Sequence, residues 1–234
     1  MSKELVISAG GKSSRIRSFL DQQSEGMPKH LLNLPNQHHF LLGRIIESAR
    51  NYFESIRVSA SSENIHFLQP VFESSHGVRV EVDQFCSGPL GPLVRSLLEG
   101  RERAYGCAGD FYCQFSWKEF ERFHDSHERS ISILVAQSAP TKNGAKFNLN
   151  NQCIDSWERL GQTNGEDLIN IGAYIIDYDK KIIPFLESMQ HHKEDPFFDE
   201  LIPLGHIAGY NPGVLGFNVN TYETYVQLCQ YLSR

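Results

Sequence analysis

Short apolar segments alternate with amphipathic segments along the first part of the chain. The short segments are β-branched and bounded by turn formers, which predicts buried strands at Leu5–Ser8, Ile56–Ala60, Val78–Val82, Tyr105–Ala108 and Ser130–Ala136. Between them, apolar residues recur at helical spacing, in one set formed by Leu41, Ile45, Ile46, Ala49 and Phe53 and in another formed by Leu93, Leu97 and Leu98. This alternation predicts βαβ units and therefore an α/β fold.

The pattern changes after Pro140. The elements predicted there are a hairpin with strands Ala145–Leu149 and Cys153–Trp157, a strand at Leu168–Ile176, a helix from about Asp179 to Met189, a loop-rich stretch, a strand at Val214–Val219 and a helix from about Thr221 to Leu232. No internal repeat or low-complexity linker separates the two parts. We therefore predict a single domain, residues 1–234, with a Rossmann-like, mostly parallel mixed sheet flanked by helices.

The composition limits the classes of function. The 234 residues carry a net charge of −6 and are 40% hydrophobic, which is typical of a soluble globular protein with a substantial core. The acidic balance argues against a nucleic-acid partner, which would need clustered basic residues. No run of about 18 apolar residues and no hydrophobic signal core occur, so we expect a cytoplasmic protein without a membrane partner. The five cysteines have no C-x-x-C spacing and are expected to be reduced thiols.

A glycine-rich turn follows the first predicted strand, where residues 7–16 read Ile-Ser-Ala-Gly-Gly-Lys-Ser-Ser-Arg-Ile. Because Gly10 and Gly11 have no Cβ, their backbone N–H groups can approach phosphate oxygens closely. Lys12, Arg15 and Lys29 add the positive charges that a triphosphate needs. The turn has neither P-loop nor G-x-G-x-x-G spacing, so a plain structural bend stands as the alternative to a nucleotide site at this point.

A second candidate segment, Gly109-Asp110, follows the fourth predicted strand. In helix-covered parallel sheets, ligands bind where the carboxyl ends of neighbouring strands meet. We therefore expect Asp110 and the glycine turn to face the same crevice.

Several motifs occur in order along nearly the whole chain. They are Ile7–Ile16, Pro28–Pro35, Gly88–Leu93, Gly109-Asp110 with Phe123-His124, Glu158-Arg159 with Asn170–Ile175, and Asn218–Tyr225. In this order they resemble the ILAGGxGTRL, PKxLLP, GTAGPL, GD with FH, EK with NaGiYvf, and DIGTPEDY motifs of the nucleotidyltransferases that activate sugar 1-phosphates. The resemblance implies a fold of the nucleotide-diphospho-sugar transferase type, with residues 1–136 as the nucleotide-binding part. Residues 137–234 would be the acceptor-binding part, with the closing strand and helix.

The chain departs from this family pattern in both phosphate and metal motifs. The third glycine and the threonine of the first motif are Ser13 and Ser14, and the second metal-binding aspartate is Asn218. An amide oxygen can ligate Mg²⁺, but without a charge it does so more weakly than a carboxylate.

Other features divide between two branches of the family. The string Gly-Gly-Lys-Ser-Ser-Arg, the Gly-Pro-Leu at 88–90 and the Asn-Val-Asn-Thr at 218–221 are closer to the molybdopterin guanylyltransferase branch. The long insert Ile16–Met27 and the segments around Glu158 and Asn170 are closer to the sugar branch.

The resemblance implies a role for each matched residue. The nucleotide would be bound by Ala9, Gly10, Gly11, Lys12, Ser13, Ser14, Gly88, Pro89 and Gly91. The catalytic residues would be Arg15, Lys29 and Asp110, since nucleotidyl transfer depends on positioning and charge neutralisation. Asp110 and Asn218 would hold Mg²⁺, and the acceptor would be bound by Glu158, Arg159, Asn170 and Gly172.

The implied activity is Mg²⁺-dependent transfer of a nucleoside monophosphate from an NTP to a sugar 1-phosphate, with release of pyrophosphate. One alternative is a non-sugar phosphate acceptor, such as a molybdopterin, phosphocholine or a cyclitol phosphate. Another is a catalytically weakened paralogue that binds nucleotide sugars, which the replacements at Ser13 and Asn218 suggest. The expected partners are an NTP and a phosphorylated small molecule, and the question of a homo-oligomer stays open.

Overall fold

A computed structural model of the protein describes residues 3–35, 40–83, 90–139, 145–189 and 194–234. Its strands are β1 (Glu4–Ala9), β2 (Ser55–Ala60), β3 (Val78–Val82), β4 (Arg103–Ala108), β5 (Phe111–Cys113), β6 (Ile131–Ser138), β7 (Ala145–Asn150), β8 (Cys153–Arg159), β9 (Leu168–Asp177), β10 (Ile207–Tyr210) and β11 (Leu215–Asn218). Its helices are α1 (Arg17–Gln23), α2 (Leu41–Ala49), α3 (Ile65–Phe72), α4 (Leu90–Leu98), α5 (Trp117–Asp125), α6 (Ile183–Met189), α7 (Glu194–Leu201) and α8 (Tyr222–Leu232).

The described strands form one sheet in the order β3-β2-β1-β4-β9-β7-β8-β10-β6-β11-β5, and β9 also pairs with β6. The first four strands in this order are parallel. β9 runs antiparallel to both β4 and β6, and the β7–β8 hairpin is antiparallel because a short turn joins its strands. The predicted α/β class and helix-flanked sheet are therefore confirmed. Parallel pairing dominates only in the first part, and the second part is mixed.

Two hydrophobic clusters cover the two faces of the sheet, because successive side chains of a strand point to opposite sides. On β1, Leu5 and Ile7 are fully buried in the cluster that includes residues of α2, α3 and α5. Val6 lies in the other cluster, with residues of α4, α6 and α7. Each such buried side chain contributes about 1.5–3 kcal/mol to folding. This packing fixes the carboxyl end of β1.

A third cluster of buried residues joins the insert helix α1 to the end of the chain. Ile16 and Leu20 from the insert pack with Phe217 of β11, with Val219 directly after β11 and with Leu228 of α8. The side chain of Phe19 also lies against α8. The insert is therefore an integral part of the packing near the carboxyl end of β11.

The structure corrects the predicted boundaries in several places. Strands β5 and β10 were not predicted, because runs of three and four residues show too little periodicity. The stretch expected to be loop-rich contains helix α7, which buries Phe197 and Phe198. Cys107, Cys113, Cys153 and Cys229 are free thiols, as expected, while Cys86 lies outside the described residues. Among the helices of the described ranges, none has the length and apolarity that a membrane crossing requires.

Candidate active site

The glycine turn, residues 9–15, leaves the carboxyl end of β1, which lies between β2 and β4. Asn64, shortly after β2, is buried and donates hydrogen bonds from Nδ2 to the carbonyl oxygens of Ala9 (2.8 Å) and Gly11 (3.3 Å). Lys12 and Arg15 are exposed and form no ion pair with a side chain of the described residues. The turn is thus anchored through its backbone and carries two unpaired cations.

Ser13 is the one residue of the turn whose backbone is in the left-handed region, with φ of +55°. Gly10 and Gly11, which the sequence analysis singled out because they have no Cβ, do not have a positive φ. The resembled family has glycine at the position of Ser13, and a side chain there costs about 1–2 kcal/mol. The Ser13 hydroxyl donates to Gly11 O (3.5 Å) and accepts a long hydrogen bond from Lys29 N (3.4 Å). It therefore links the turn to residues 27–29, which we call the lysine segment.

Gly109 brings Asp110 next to the glycine turn. Its N–H donates to Ser8 O at 2.7 Å, which extends the β1–β4 pairing by one residue. A Cβ at Gly109 would lie 3.0 Å from both Ser8 O and His30 Cδ2, so this close approach requires glycine. The expectation that Asp110 and the glycine turn face the same crevice is consistent with this geometry.

Lys29 lies at the centre of the site. It begins a short 3₁₀ turn and is only 6% exposed. Its ammonium forms an ion pair with Asp110 and donates a hydrogen bond to Asn220 Oδ1. Burial by itself would raise the pKa of Asp110, but the Lys29 ammonium lowers it below its usual range. Asp110 is therefore a carboxylate at neutral pH.

His30 supports this arrangement without adding charge. It is 2% exposed, and its Nδ1 has no hydrogen-bond partner among the described residues. Burial lowers the pKa of His30 to about 4, against a smaller opposing effect of Asp110. A neutral imidazole leaves Lys29 as the cation that faces Asp110.

Asn218 lies beside Asp110 and has one oxygen available for a ligand. The Val219 N–H donates to Asp110 O (2.8 Å), and Asn218 Nδ2 donates to Asn170 O (2.9 Å). This bond uses the amide nitrogen and leaves Asn218 Oδ1. One carboxylate and one amide oxygen fit Mg²⁺, which commonly completes its shell with water and substrate phosphates. No group of three or more His, Cys, Asp or Glu side chains suited to a metal occurs in the described ranges.

Asn170 is partly used by its own strand. Its Oδ1 accepts from Gly172 N (2.8 Å), and its Nδ2 donates to Tyr174 OH (2.6 Å). Gly172 has φ of +84°, and a Cβ there would lie 3.0 Å from Ala108 Cβ. Since an amide has two hydrogens and two lone pairs, Asn170 keeps one of each for an acceptor molecule. The structure gives Gly172 a backbone role, which is to let β9 pack against β4.

Glu158 and Arg159 lie farther out, on β8. Both are exposed, and Lys146 Nζ lies 3.9 Å from Glu158 and 3.3 Å from Asp167. In the sheet, Lys146 pairs with Glu158 on one side and with Ile169 on the other. Glu158 thus lies two strands away from Ile169, at the rim of the region around Asn170 that is the candidate acceptor site.

The segment of residues 88–91, which the resemblance implies for nucleotide binding, is helical from Leu90 onward. Gly88 and Pro89 lie outside the described residues, whereas Gly91 is buried in the first turn of α4. The helical spacing predicted from the sequence begins at Leu93, whereas α4 begins at Leu90. The apolar spacing of Leu90, Leu93 and Leu97 favours this earlier start.

Sequence reasoning missed three polar residues of the site. Asn220 could have been found, since alternate residues of an extended segment point the same way and Asn218 was already a candidate. Asn64 follows a strand that neighbours β1, so its position at the carboxyl edge was a usable signal. Nothing in the sequence indicated that Arg17 donates a hydrogen bond to the glycine turn.

A cavity of about 610 Å³ opens beside the glycine turn. Its walls come from the turn, from α1 and from the start of α3, and they include Lys12, Arg17, Asn64, His66 and Phe67. Its volume lies within the range of small-molecule sites.

Comparison with known proteins identifies the fold. The chain matches no family model and no curated protein in sequence. In structure it resembles a protein from Bacillus anthracis assigned as a glucose-1-phosphate thymidylyltransferase, with a TM-score of 0.78 and 13% identity over 98% of this chain and 94% of that one. The chain has the nucleotidyltransferase fold.

Two further structures share this nucleotidyltransferase fold. The CTP:phosphocholine cytidylyltransferase of Streptococcus pneumoniae matches with a TM-score of 0.72 and 14% identity, over 99% of this chain and 100% of that one. The inositol-1-phosphate CTP transferase of T. maritima matches with a TM-score of 0.71 and 14% identity, over 100% and 97%. The predicted fold type is confirmed.

Proposed function

We propose that the protein is a Mg²⁺-dependent nucleotidyltransferase that transfers a nucleoside monophosphate from an NTP to a phosphate monoester. The observation that carries this proposal is the placement of Lys29 between Asp110 and Asn220, beside a turn whose cations Lys12 and Arg15 have no ionic partner among the described residues. A structural bend would not need a buried lysine paired with a partly buried carboxylate, because burying ions is unfavourable without a compensating role.

The proposed reaction breaks one P–O bond and forms another. An oxygen of the acceptor phosphate attacks the α-phosphorus, and the bond from that phosphorus to the β-phosphate oxygen breaks. Pyrophosphate leaves with the bonding electrons. Such transfers need in-line positioning and charge neutralisation more than a covalent catalyst.

The residues of the glycine turn would hold the leaving group. The N–H groups of residues 10–14 and the exposed guanidinium of Arg15 would bind the β- and γ-phosphates. Lys29 would contact the α-phosphate and the incoming phosphate, because its ammonium lies against Asp110 and its backbone N–H contacts Ser13 of the turn. Its charge would grow in importance as negative charge accumulates on the transferred group.

Asp110 and Asn218 would hold Mg²⁺ through one carboxylate oxygen and one amide oxygen. Bound there, Mg²⁺ would screen the repulsion between the triphosphate and the anionic acceptor. The orientation of Asn218, fixed by its bond to Asn170, supports a catalytic site over a weakened binding paralogue, since the oxygen is the atom left for a ligand.

For the acceptor we propose a sugar 1-phosphate, bound by Asn170 and by Glu158 and Arg159 at the rim. A carboxylate and an amide are suited to sugar hydroxyls. A non-sugar phosphate is the second candidate, because a phosphocholine cytidylyltransferase and an inositol-1-phosphate CTP transferase have the same fold. In either case we expect the enzyme to act in the cytoplasm.

Pyrophosphate release tests this proposal. Purified protein is incubated with each of the four NTPs and Mg²⁺, alone and with a panel of hexose 1-phosphates, phosphocholine and inositol phosphate. Release that requires both an NTP and a hexose 1-phosphate supports sugar activation. Release only with a non-sugar acceptor supports the second candidate, and nucleotide binding without any release supports a binding paralogue.

A further inference from the structure

The insert of residues 16–27 folds over the glycine turn as helix α1 followed by a turn at Gly26. Its apolar side chains Ile16 and Leu20 are 1% and 0% exposed in the third cluster. Because close-packed side chains resist displacement, this helix gives polar groups on its surface a fixed position relative to the site.

Arg17, on the first turn of α1, joins two backbone segments of the site. Its Nη2 donates to the carbonyl oxygen of Lys12 at 2.9 Å, and its Nη1 donates to that of Met27 at 3.1 Å. Lys12 belongs to the glycine turn, and Met27 is two residues before Lys29. A guanidinium is planar and rigid, so it holds two acceptors at a fixed separation.

Asp21 stabilises this bridge from the next turn of the helix. Its carboxylate lies 3.6 Å from Arg17 Nη1 and accepts a hydrogen bond from Gly26 N at 3.3 Å. Gly26 has φ of +75°, which lets the chain reverse toward Met27. The orientation of Arg17 and the path of the chain into Lys29 therefore depend on the same carboxylate.

Arg17 differs in this respect from Arg15, the other arginine of the segment. Two of the N–H groups of Arg17 are used by backbone carbonyls, whereas Arg15 is exposed and has no ionic partner among the described side chains. Arg15 is thus suited to bind a phosphate, and Arg17 is suited to hold the backbone that does so.

We propose that Arg17 is a positioning residue, which sets the separation between the triphosphate-binding turn and the Lys29 ammonium. This inference rests on the proposed function, in which the turn holds the leaving pyrophosphate and Lys29 contacts the α-phosphate. An error of about 1 Å between such groups can lower a rate 100-fold. The role requires the forked guanidinium, because an ammonium on a flexible stem does not fix two carbonyls in one plane.

Two measurements on the variants Arg17→Gln and Arg17→Lys test the proposal, with Arg122→Gln as a matched control. Among the described residues, the Arg122 side chain forms its ion pair with Glu119 on the surface of α5, remote in sequence from the insert. The first measurement is hydrogen exchange of the amides at residues 10–14 and 27–29 in protein without substrate. The second is the division of the kinetic effect between kcat and the KM of the acceptor.

We expect both Arg17 variants to exchange about tenfold faster at these amides, because the bridge that restrains them is lost. In the active enzyme, kcat should fall by about tenfold or more while the KM of the acceptor stays within about twofold. The control should match the wild type in both measurements.

Unchanged exchange in Arg17→Gln, an unchanged kcat, or full recovery in Arg17→Lys would each overturn the positioning role. If the wild type releases no pyrophosphate with any substrate pair, the proposed function has failed. Exchange then decides by itself whether Arg17 fixes the turn against the lysine segment.

Discussion

The Lys29 ammonium lies against the Asp110 carboxylate, with Lys29 buried and Asp110 partly buried in the candidate site. In the proposed reaction, Asp110 holds a cation and Lys29 contacts phosphate. The two roles are compatible only if Lys29 exchanges Asp110 for a phosphate oxygen when the nucleotide arrives. In the protein alone, Lys29 therefore competes with a divalent cation for Asp110.

Replacing Lys29 should strengthen metal binding to the free protein. Removing the ammonium eliminates its repulsion with a divalent cation, so we expect Lys29→Met to bind Mn²⁺ about tenfold more tightly or better. Turnover should fall by about 100-fold, since a group that stabilises the transition state is lost. Titration of Mn²⁺ by electron paramagnetic resonance, without nucleotide, measures the first effect. The exposed Lys118→Met is the control, and equal Mn²⁺ affinities of Lys29→Met and wild type would show that Lys29 does not compete.

Asn220 should affect turnover through Lys29. In Asn220→Ala the ammonium loses one of its two partners, and we expect kcat to fall by about tenfold with little change in the melting temperature. Steady-state kinetics with circular dichroism measure the two effects, and Asn51→Ala on the surface is the matched control. A wild-type kcat in Asn220→Ala would mean that the Asp110 contact suffices to place Lys29.

Because Ser13 has a left-handed backbone, we expect the usual order of stability of glycine and alanine variants to be reversed at this position. Ser13→Ala and Ser13→Gly both remove the hydroxyl, but only alanine keeps a Cβ at φ of +55°. We expect Ser13→Gly to be more stable than Ser13→Ala by about 1 kcal/mol, whereas alanine is the more stable residue at most positions. Urea denaturation of both variants compares them, and a more stable Ser13→Ala would contradict the observed backbone.

His127 should make the folded state less stable in mild acid. Burial lowers the pKa of His127 from 6.5 to about 4, with smaller contributions from His124 and Arg129. Its Nδ1 accepts a hydrogen bond from Arg129 N (3.2 Å), and its Nε2 lies 3.0 Å from Ser132 Oγ. Protonation of Nδ1 would remove the first of these bonds.

The direction of the change in stability with pH follows from the number of protons that each state binds. Between about pH 6.5 and pH 4, the unfolded chain binds a proton at His127 that the folded protein does not, so stability falls as the pH falls. After allowance for solvent screening at this half-exposed side chain, we expect a loss of about 1 kcal/mol. Melting temperatures at pH 7 and pH 5 measure it. His127→Gln should have a smaller difference between the two pH values, and an unchanged difference would assign the effect to other groups.

The sequence predicted those parts of the site that follow from strand order. Asp110 and the glycine turn each follow a predicted strand of the sheet, so a common crevice at the carboxyl ends could be expected. Lys29 and Asn220 are separated by 191 residues, and periodicity contains no information about such a contact. Asn218 became a candidate only through the family resemblance.

Other errors of prediction have local causes. The left-handed backbone of Ser13 was not predicted, because the path of the chain into α1 sets it and serine rarely adopts it. The bridge made by Arg17 depends on how the insert folds back, which no pattern of apolar residues describes. Short strands such as β5 form because a neighbouring strand supplies their hydrogen bonds, so their own sequence predicts little.

Pyrophosphate release by Asp110→Asn, compared with the wild type and with the exposed control Asp155→Asn, tests the account most directly. The asparagine keeps the shape of Asp110 but removes the charge that pairs with Lys29 and would hold Mg²⁺. We predict that release falls by at least about 100-fold while circular dichroism and nucleotide-free melting show an intact fold, and that Asp155→Asn behaves as the wild type. Near-normal release by a folded Asp110→Asn variant would contradict the account.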